Sequence, residues 1–245
     1  MGKTTPLLQQ AEHRPFPLPH GKWCYYQEWN KVLFLHWEMP LNPLKKQIPS
    51  SLEIDTFKGK AYVSLVAFTM QKIHPRYLPA VKSISDFDEI NIRTYVIRDG
   101  KPGVYFLNIE AGKTLSAKVA KTLSGLPYEK AEMFRKKRMY LSANKAHNNV
   151  FEAHYKTKEL KQPKTDLDRW LTERYYLYLA KNDFCYRYDI HHLEWEIQTL
   201  NFDSLVINYA VEDYELTTPP DLCHYSKGVQ VLAWKRKKCV NNERP

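Results

Sequence analysis

Residues 89–98, Glu-Ile-Asn-Ile-Arg-Thr-Tyr-Val-Ile-Arg, alternate between two kinds of side chain. A period of two marks a β-strand, whose successive side chains leave opposite faces. One face carries Ile90, Ile92, Thr94 and Val96 and reads as core. The other carries Glu89, Asn91, Arg93 and Tyr95: an acid, an amide, a guanidinium and a phenol in one row. Solvated strand faces lean on Lys, Glu, Thr and Ser, so the row reads either as a wet outer surface or as the polar wall of a site.

The same patterning predicts the other elements. Val32–Glu38 reads as a strand ended by Pro40 and Pro43, and residues 44–52 as one short helical turn. Ala61–Met70 is apolar on both faces, so both faces should be buried. Asp99-Gly100-Lys101-Pro102-Gly103 makes a turn, and Val104–Glu110 is its hairpin partner. Leu115, Val119 and Leu123 are spaced by four, with Gly125 where a helix cap belongs and Pro127 beyond it. Residues 128–134, 138–144 and 149–157 read as short strands. A second helix begins near Asp166, with Leu167, Trp170, Leu171 and Arg174 on one stripe. Phe184–His191 and the runs 203–215 and 229–234 complete the set.

About nine to eleven strands and two helices predict a mainly β, antiparallel protein. Strands apolar on both faces point to a curled or closed barrel with about two helices outside it. Residues 22–236 read as one domain, 1–21 as an extended arm rich in proline, and 237–245 as a frayed C-terminal tail.

Composition narrows the function classes. An apolar fraction of 43% across 245 residues supports a sizeable core, and the 13% aromatic content suits half-buried strands and cavity walls. The net charge of +10 is dispersed, apart from Arg135–Arg138, read as a solvated hairpin tip, and Lys235–Lys238 near the C-terminus. Cys24, Cys185, Cys223 and Cys239 are widely spaced, which suggests free thiols. No apolar run approaches the ~20 residues of a membrane span, and no signal sequence opens the chain, so the expected location is cytoplasmic. Glycine-rich phosphate loops and a G-x-S-x-G elbow are missing, which disfavours nucleotide folds and α/β-hydrolases.

Several segments together resemble one family. They are Phe34-Leu35-His36-Trp37, Asp55-Thr56-Phe57-Lys58-Gly59, Glu89–Val96, Gly100–Phe106, Gly125-Leu126-Pro127-Tyr128, Leu171–Tyr175 and His191-His192-Leu193-Glu194-Trp195. In this order they resemble the YqjF-like bacterial family, a distant branch of the acetoacetate-decarboxylase-like superfamily, over residues 22–236. The resemblance implies a cone-shaped antiparallel barrel with a small-molecule site in its lumen. The superfamily's decarboxylase uses a Schiff-base lysine whose pKa is depressed by a second lysine beside it. The matching segment here places Tyr128 where the nucleophile stands and Glu129 where its activator stands. A phenol forms no imine, so that mechanism does not carry over; Lys130, two residues on, is the one nearby amine. The resemblance also makes Glu89 the counterpart of the superfamily's barrel glutamate.

His192 and Glu194 would share a face if the strand continued past His191, as an acid–base pair or part of a metal site. One histidine and one carboxylate fall short of the three protein ligands that zinc needs, and no metal or cofactor is expected. Glu173-Arg174-Tyr175 reads as an ion pair tying the second helix to the barrel. The expected ligand is a small organic anion, oriented by Glu89, Asn91, Arg93, Tyr95, Tyr128 and His36. Binder and enzyme both stay open, the enzyme with Glu89 as base and Tyr128 or His192 as acid. A basic nucleic-acid-binding module is the weaker third class.

Overall fold

The computed structural model describes residues 5–113, 125–181, 184–211 and 214–239. Short helices α1 (Thr5–Gln9), α2 (Leu41–Lys46), α3 (Lys82–Ser85) and α4 (Asp166–Thr172) punctuate fifteen described strands. The first eight are β1 (Tyr25–Met39), β2 (Glu53–Ile54), β3 (Ala61–Pro75), β4 (Phe87–Arg98), β5 (Lys101–Ala111), β6 (Tyr128–Lys130), β7 (Glu132–Lys136) and β8 (Met139–Asn144). The rest are β9 (Asn149–Leu160), β10 (Tyr176–Lys181), β11 (Phe184–His191), β12 (Ile197–Val211), β13 (Tyr214–Leu216), β14 (Leu222–Ala233) and β15 (Lys237–Lys238).

Seven of these strands curl into a ring in the order β11-β10-β5-β4-β3-β1-β14. β14 closes it by pairing with β11 through Ile190 opposite Ala233 and His191 opposite Leu232. Lower on the same edge, Ile197 and Gln198 of β12 pair with Ser226 and Tyr225. The sheet therefore forks at β14, and the second branch continues through β12, β9, β8 and β7. β1 bends to follow the ring through register shifts near Lys31, whose φ is 54°. Gly228 lies against this bend at φ 136°, where an added Cβ would collide with the Trp29 carbonyl.

The fork explains why β1 and β3 are apolar on both faces and why β4 is buried on both. Val32, Phe34, Val66, Phe68, Met70 and Phe87 point into the ring. Leu33, Leu35, Val63, Leu65, Ile90 and Ile92 point outward, where Tyr140, Phe151, Ala153, Ile207 and Tyr209 of the second branch cover them. Tyr140 and Tyr155 are core. Arg135, expected in solvent at the β7–β8 hairpin, instead lies 4.7 Å over the Tyr140 ring and donates to the Tyr155 hydroxyl at 3.1 Å.

The mainly β, curled architecture matches the sequence pattern, with corrections. The sheet is mixed, because β5 runs parallel to both β10 and β6. A crossover between β5 and β6 returns the chain in the same direction, which a tight hairpin turn does not do. The helix expected over residues 115–123 lies outside the described residues. The expected strand 128–134 divides at Ala131, whose N–H reaches back to Ala111. The N-terminal arm is not wholly extended: α1 buries Leu7 against Trp23, Tyr26 and Trp234. At the other end, Lys237 and Lys238 pair with β11.

Glu110 ties the two branches together. Its carboxylate is fully buried and accepts from Asn144 at 2.8 Å, Asn149 at 3.0 Å and Tyr209 at 2.8 Å. Truncation would strand three donors away from water, each worth about 1–3 kcal/mol. We expect Glu110→Ala to lower the unfolding free energy by roughly 3 kcal/mol or more in urea titration. Removing the exposed Lys60–Glu38 pair should leave the urea midpoint almost where it was, because solvent screens that contact.

Candidate functional site

The lumen holds a cavity of about 300 Å³. Its wall is built in layers set by strand register. Arg93 lies opposite Ser64, and Ser64 opposite His36. One layer up, Asn91 lies opposite Val66 and Ile109, and Ile109 opposite Tyr128. Above that, Glu89 lies opposite Phe68 and Ala111, and then Phe87 opposite Met70. The rim is the segment after β3, where Leu78, Pro79, Val81 and Ile84 line the opening.

Glu89, Asn91 and Arg93 all face this cavity, and Tyr128 joins them from β6. The Tyr128 hydroxyl donates to Glu89 Oε2 at 3.0 Å, and Asn91 Nδ2 donates to Oε1 at 3.3 Å. Burial pushes the Glu89 carboxyl up to about 7, against the opposing pull of these two donors. Burial and the neighbouring carboxylate push the Tyr128 phenol well above its ordinary range. Arg93 Nη2 donates to the Leu171 carbonyl at 3.3 Å. Its Nε and the Asn91 Oδ1 are buried without hydrogen-bond partners.

Tyr95 and His36 lie on the same inward strand faces but do not line the cavity. They form a polar plug at its closed end. Tyr95 donates to the Leu171 carbonyl at 3.0 Å, and its hydroxyl lies 2.7 Å from Ser64 Oγ. Ser64 lies 2.7 Å from His36 Nδ1, His36 Nε2 lies 3.2 Å from His224 Nδ1, and His224 Nε2 lies 2.7 Å from Asp168. Burial, reinforced by His224 and Arg93, holds His36 well below the usual histidine range, so its ring is neutral at pH 7.

α4 caps the plug. Thr165 and Asp168 form a reciprocal capping box at its start, and Trp170 packs 4.6 Å from the Tyr95 ring. Arg174 pairs with Asp55 at 2.5 Å, the helix-to-barrel tie read from the sequence. His192 is placed elsewhere. Its ring nitrogens meet the Leu193 and Arg174 carbonyls, and it stacks on Tyr175 at 4.8 Å. The strand stops at His191, so His192 and Glu194 do not share a face; Glu194 pairs with Lys164 at 2.7 Å. Lys130 is exposed, and no lysine is among the described residues that line the cavity. No group of three potential metal ligands occurs among the described residues.

Sequence reasoning missed the Ser64–His36–His224–Asp168 chain and the walls contributed by Trp29 and Trp195. These residues come from separate segments and meet only when the ring closes. The visible signal was the inward period of β1, which put Phe34 and His36 on one face.

A ring of strands around a helix-capped lumen is the acetoacetate-decarboxylase-like fold. A solved acetoacetate decarboxylase superimposes with a TM-score of 0.59 at 14% identity, over 98% of this chain and 99% of that one. The enduracididine biosynthesis enzyme MppR with HEPES buffer bound gives 0.60 at 10% identity, over 93% and 90%. At these identities the likeness is one of fold. The sequence then fixes the family. Residues 26–230 match the DUF2071 model, described as an uncharacterized conserved protein. "Uncharacterized protein YqjF" of Bacillus subtilis (strain 168) is 35% identical over 241 residues, 95% of this chain and 99% of that protein. The chain belongs to the DUF2071 family.

The raised Glu89 pKa makes stability depend on pH. Between its unfolded value of 4.5 and about 7 the folded state holds the proton more tightly than the unfolded chain, so stability falls as pH rises through this window. The full effect is about 3 kcal/mol. Glu89→Gln should remove this component. In urea titrations the variant should gain on the wild type by up to about 3 kcal/mol between pH 4.5 and 8. A constant difference across that range would disprove the assignment.

Proposed function

We propose that the protein binds a small organic anion in the lumen of its ring, with Arg93 as the charge partner and the Glu89–Tyr128 pair beside it as a proton-carrying group. One observation carries this reading. Arg93 is buried, faces the cavity, makes no ion pair among the described residues, and has an Nε with no acceptor. A buried guanidinium held by one backbone carbonyl is short of negative charge, and a ligand carboxylate supplies it. The surrounding apolar wall strengthens that attraction by excluding water.

The second reading is an enzyme working by acid–base chemistry. It is favoured by Glu89, whose pKa near 7 suits proton transfer in either direction at neutral pH. Tyr128 would hold or return the proton through its 3.0 Å contact. An imine route has no amine to use among the described cavity residues.

The test is a thermal-shift and calorimetric screen of small carboxylates. A ligand at a hundred times its Kd should add about 2.7 kcal/mol of stability. Arg93→Met should sharply reduce the shift. Affinity should also rise as pH falls through 7, because a bound anion beside Glu89 favours its protonated form. If a substrate is found, Glu89→Gln should cut its turnover by about 10²–10⁴-fold while binding persists. Borohydride with keto acids should leave no covalent adduct. Equal binding by wild type and Arg93→Met would end the proposal.

A further inference from the structure

We infer that the ligand is amphipathic. Its head combines an anionic oxygen with a neighbouring hydroxyl or N–H, and its apolar chain or ring runs outward along the lumen to the segment after β3. The inference rests on the anion-binding reading above and narrows it.

The head is set by two orphaned atoms of opposite polarity. Arg93 Nε is a donor without an acceptor, and Asn91 Oδ1 is an acceptor without a donor. Both residues are nine-tenths buried or more and line the same cavity. They are two positions apart on one strand face, a separation of about 7 Å between their Cα atoms. A bare carboxylate answers the first atom and leaves the second unpaired. A hydroxy acid, or an acid with an amide N–H beside it, answers both.

The tail is set by what lies above Glu89. The wall there is mainly apolar, built from Trp29, Phe68, Met70, Phe87, Trp195 and Ile84; Gln27, His74 and Ser85 also line the cavity, and apart from Glu89 and Arg93 no Asp, Glu, Lys or Arg does so among the described residues. The orphaned polar atom on this stretch is Trp29 Nε1, which would accommodate an oxygen partway along the tail. From Arg93 to Phe87 is six residues of strand, about 20 Å along its length. The cavity's 300 Å³ is about twice the ~150 Å³ that accommodates a benzene ring, so a ligand of roughly a dozen non-hydrogen atoms fits.

The rim agrees with this polarity. Leu78 is 60% exposed and Val81 56% exposed, yet both line the opening. A ligand that was charged throughout would enter past apolar side chains that offer it nothing. An apolar tail that ends there covers them.

The experiment is calorimetric titration of the wild-type chain with straight-chain alkanoic acids from three to twelve carbons, each beside its 3-hydroxy counterpart. Affinity should tighten about three- to four-fold per added methylene and level off near eight to ten carbons. The hydroxy acids should bind several-fold more tightly than their parents, and Asn91→Leu should erase that advantage. Arg93→Met should weaken every chain length alike. Short acids that bind with no dependence on chain length would overturn the amphipathic ligand and leave the anion site standing. A chain-length series unaffected by the hydroxyl would overturn the two-part head. No binding by any acid would overturn both proposals.

Discussion

One backbone carbonyl holds the closed end of the ring together. The Leu171 oxygen, among the last of α4, accepts from both Arg93 and Tyr95. Helix ends leave such carbonyls without partners inside the helix, and here the barrel supplies the donors. The guanidinium is thereby fixed inside an apolar lumen at the cost of desolvation that one neutral acceptor only partly offsets. Placement of α4 is consequently inseparable from the chemistry of the cavity. Asp168 serves both: one oxygen accepts from the Thr165 N–H at 2.8 Å, and the other meets His224 and Lys161 at 2.7 Å.

Two carboxylates on this axis have opposite fates. Burial works to raise Asp168, but hydrogen bonds from His224, Lys161 and Thr165 outweigh it and hold the group well below the usual range. Glu89 is also buried, yet its donors are a phenol and an amide, which carry no charge, and burial wins. Asp168 therefore acts as a fixed structural anion, while Glu89 stands ready to gain or lose a proton near neutrality. The polar plug separates them. Its histidine, His36, stays neutral because burial and the nearby charge of Arg93 both oppose a second positive charge.

The ring is shared with the decarboxylase and MppR at 14% and 10% identity, so the architecture alone assigns no reaction. Any activity has to be argued from the side chains on this chain's own inward faces. Tyr128 opens β6 and spends its hydroxyl on Glu89. The second branch, pinned by Glu110 and by the Tyr140 hydroxyl on the Glu89 carbonyl at 3.0 Å, backs the strand that carries the polar row. Rigid support behind β4 keeps Glu89, Asn91 and Arg93 in register with one another.

The alternation of Glu89, Asn91, Arg93 and Tyr95 with Ile90, Ile92 and Thr94 was enough to put both groups on opposite faces, because side-chain direction in a strand is a local property. Double-sided burial of β3 announced a layer on each side for the same reason. The helix at Asp166 was legible from the spacing of Leu167, Trp170 and Leu171. Whether the polar row faced a cavity or solvent was decided by ring closure, which depends on two residue pairs between β11 and β14 that no local pattern encodes. The division of that row, with Glu89 to Arg93 open to the cavity and Tyr95 sealed in the plug, followed from where α4 docks. Likewise His192 left the set of cavity residues because β11 ends one residue before it. Local periodicity fixes which way a side chain points; only long-range contacts fix what stands in front of it.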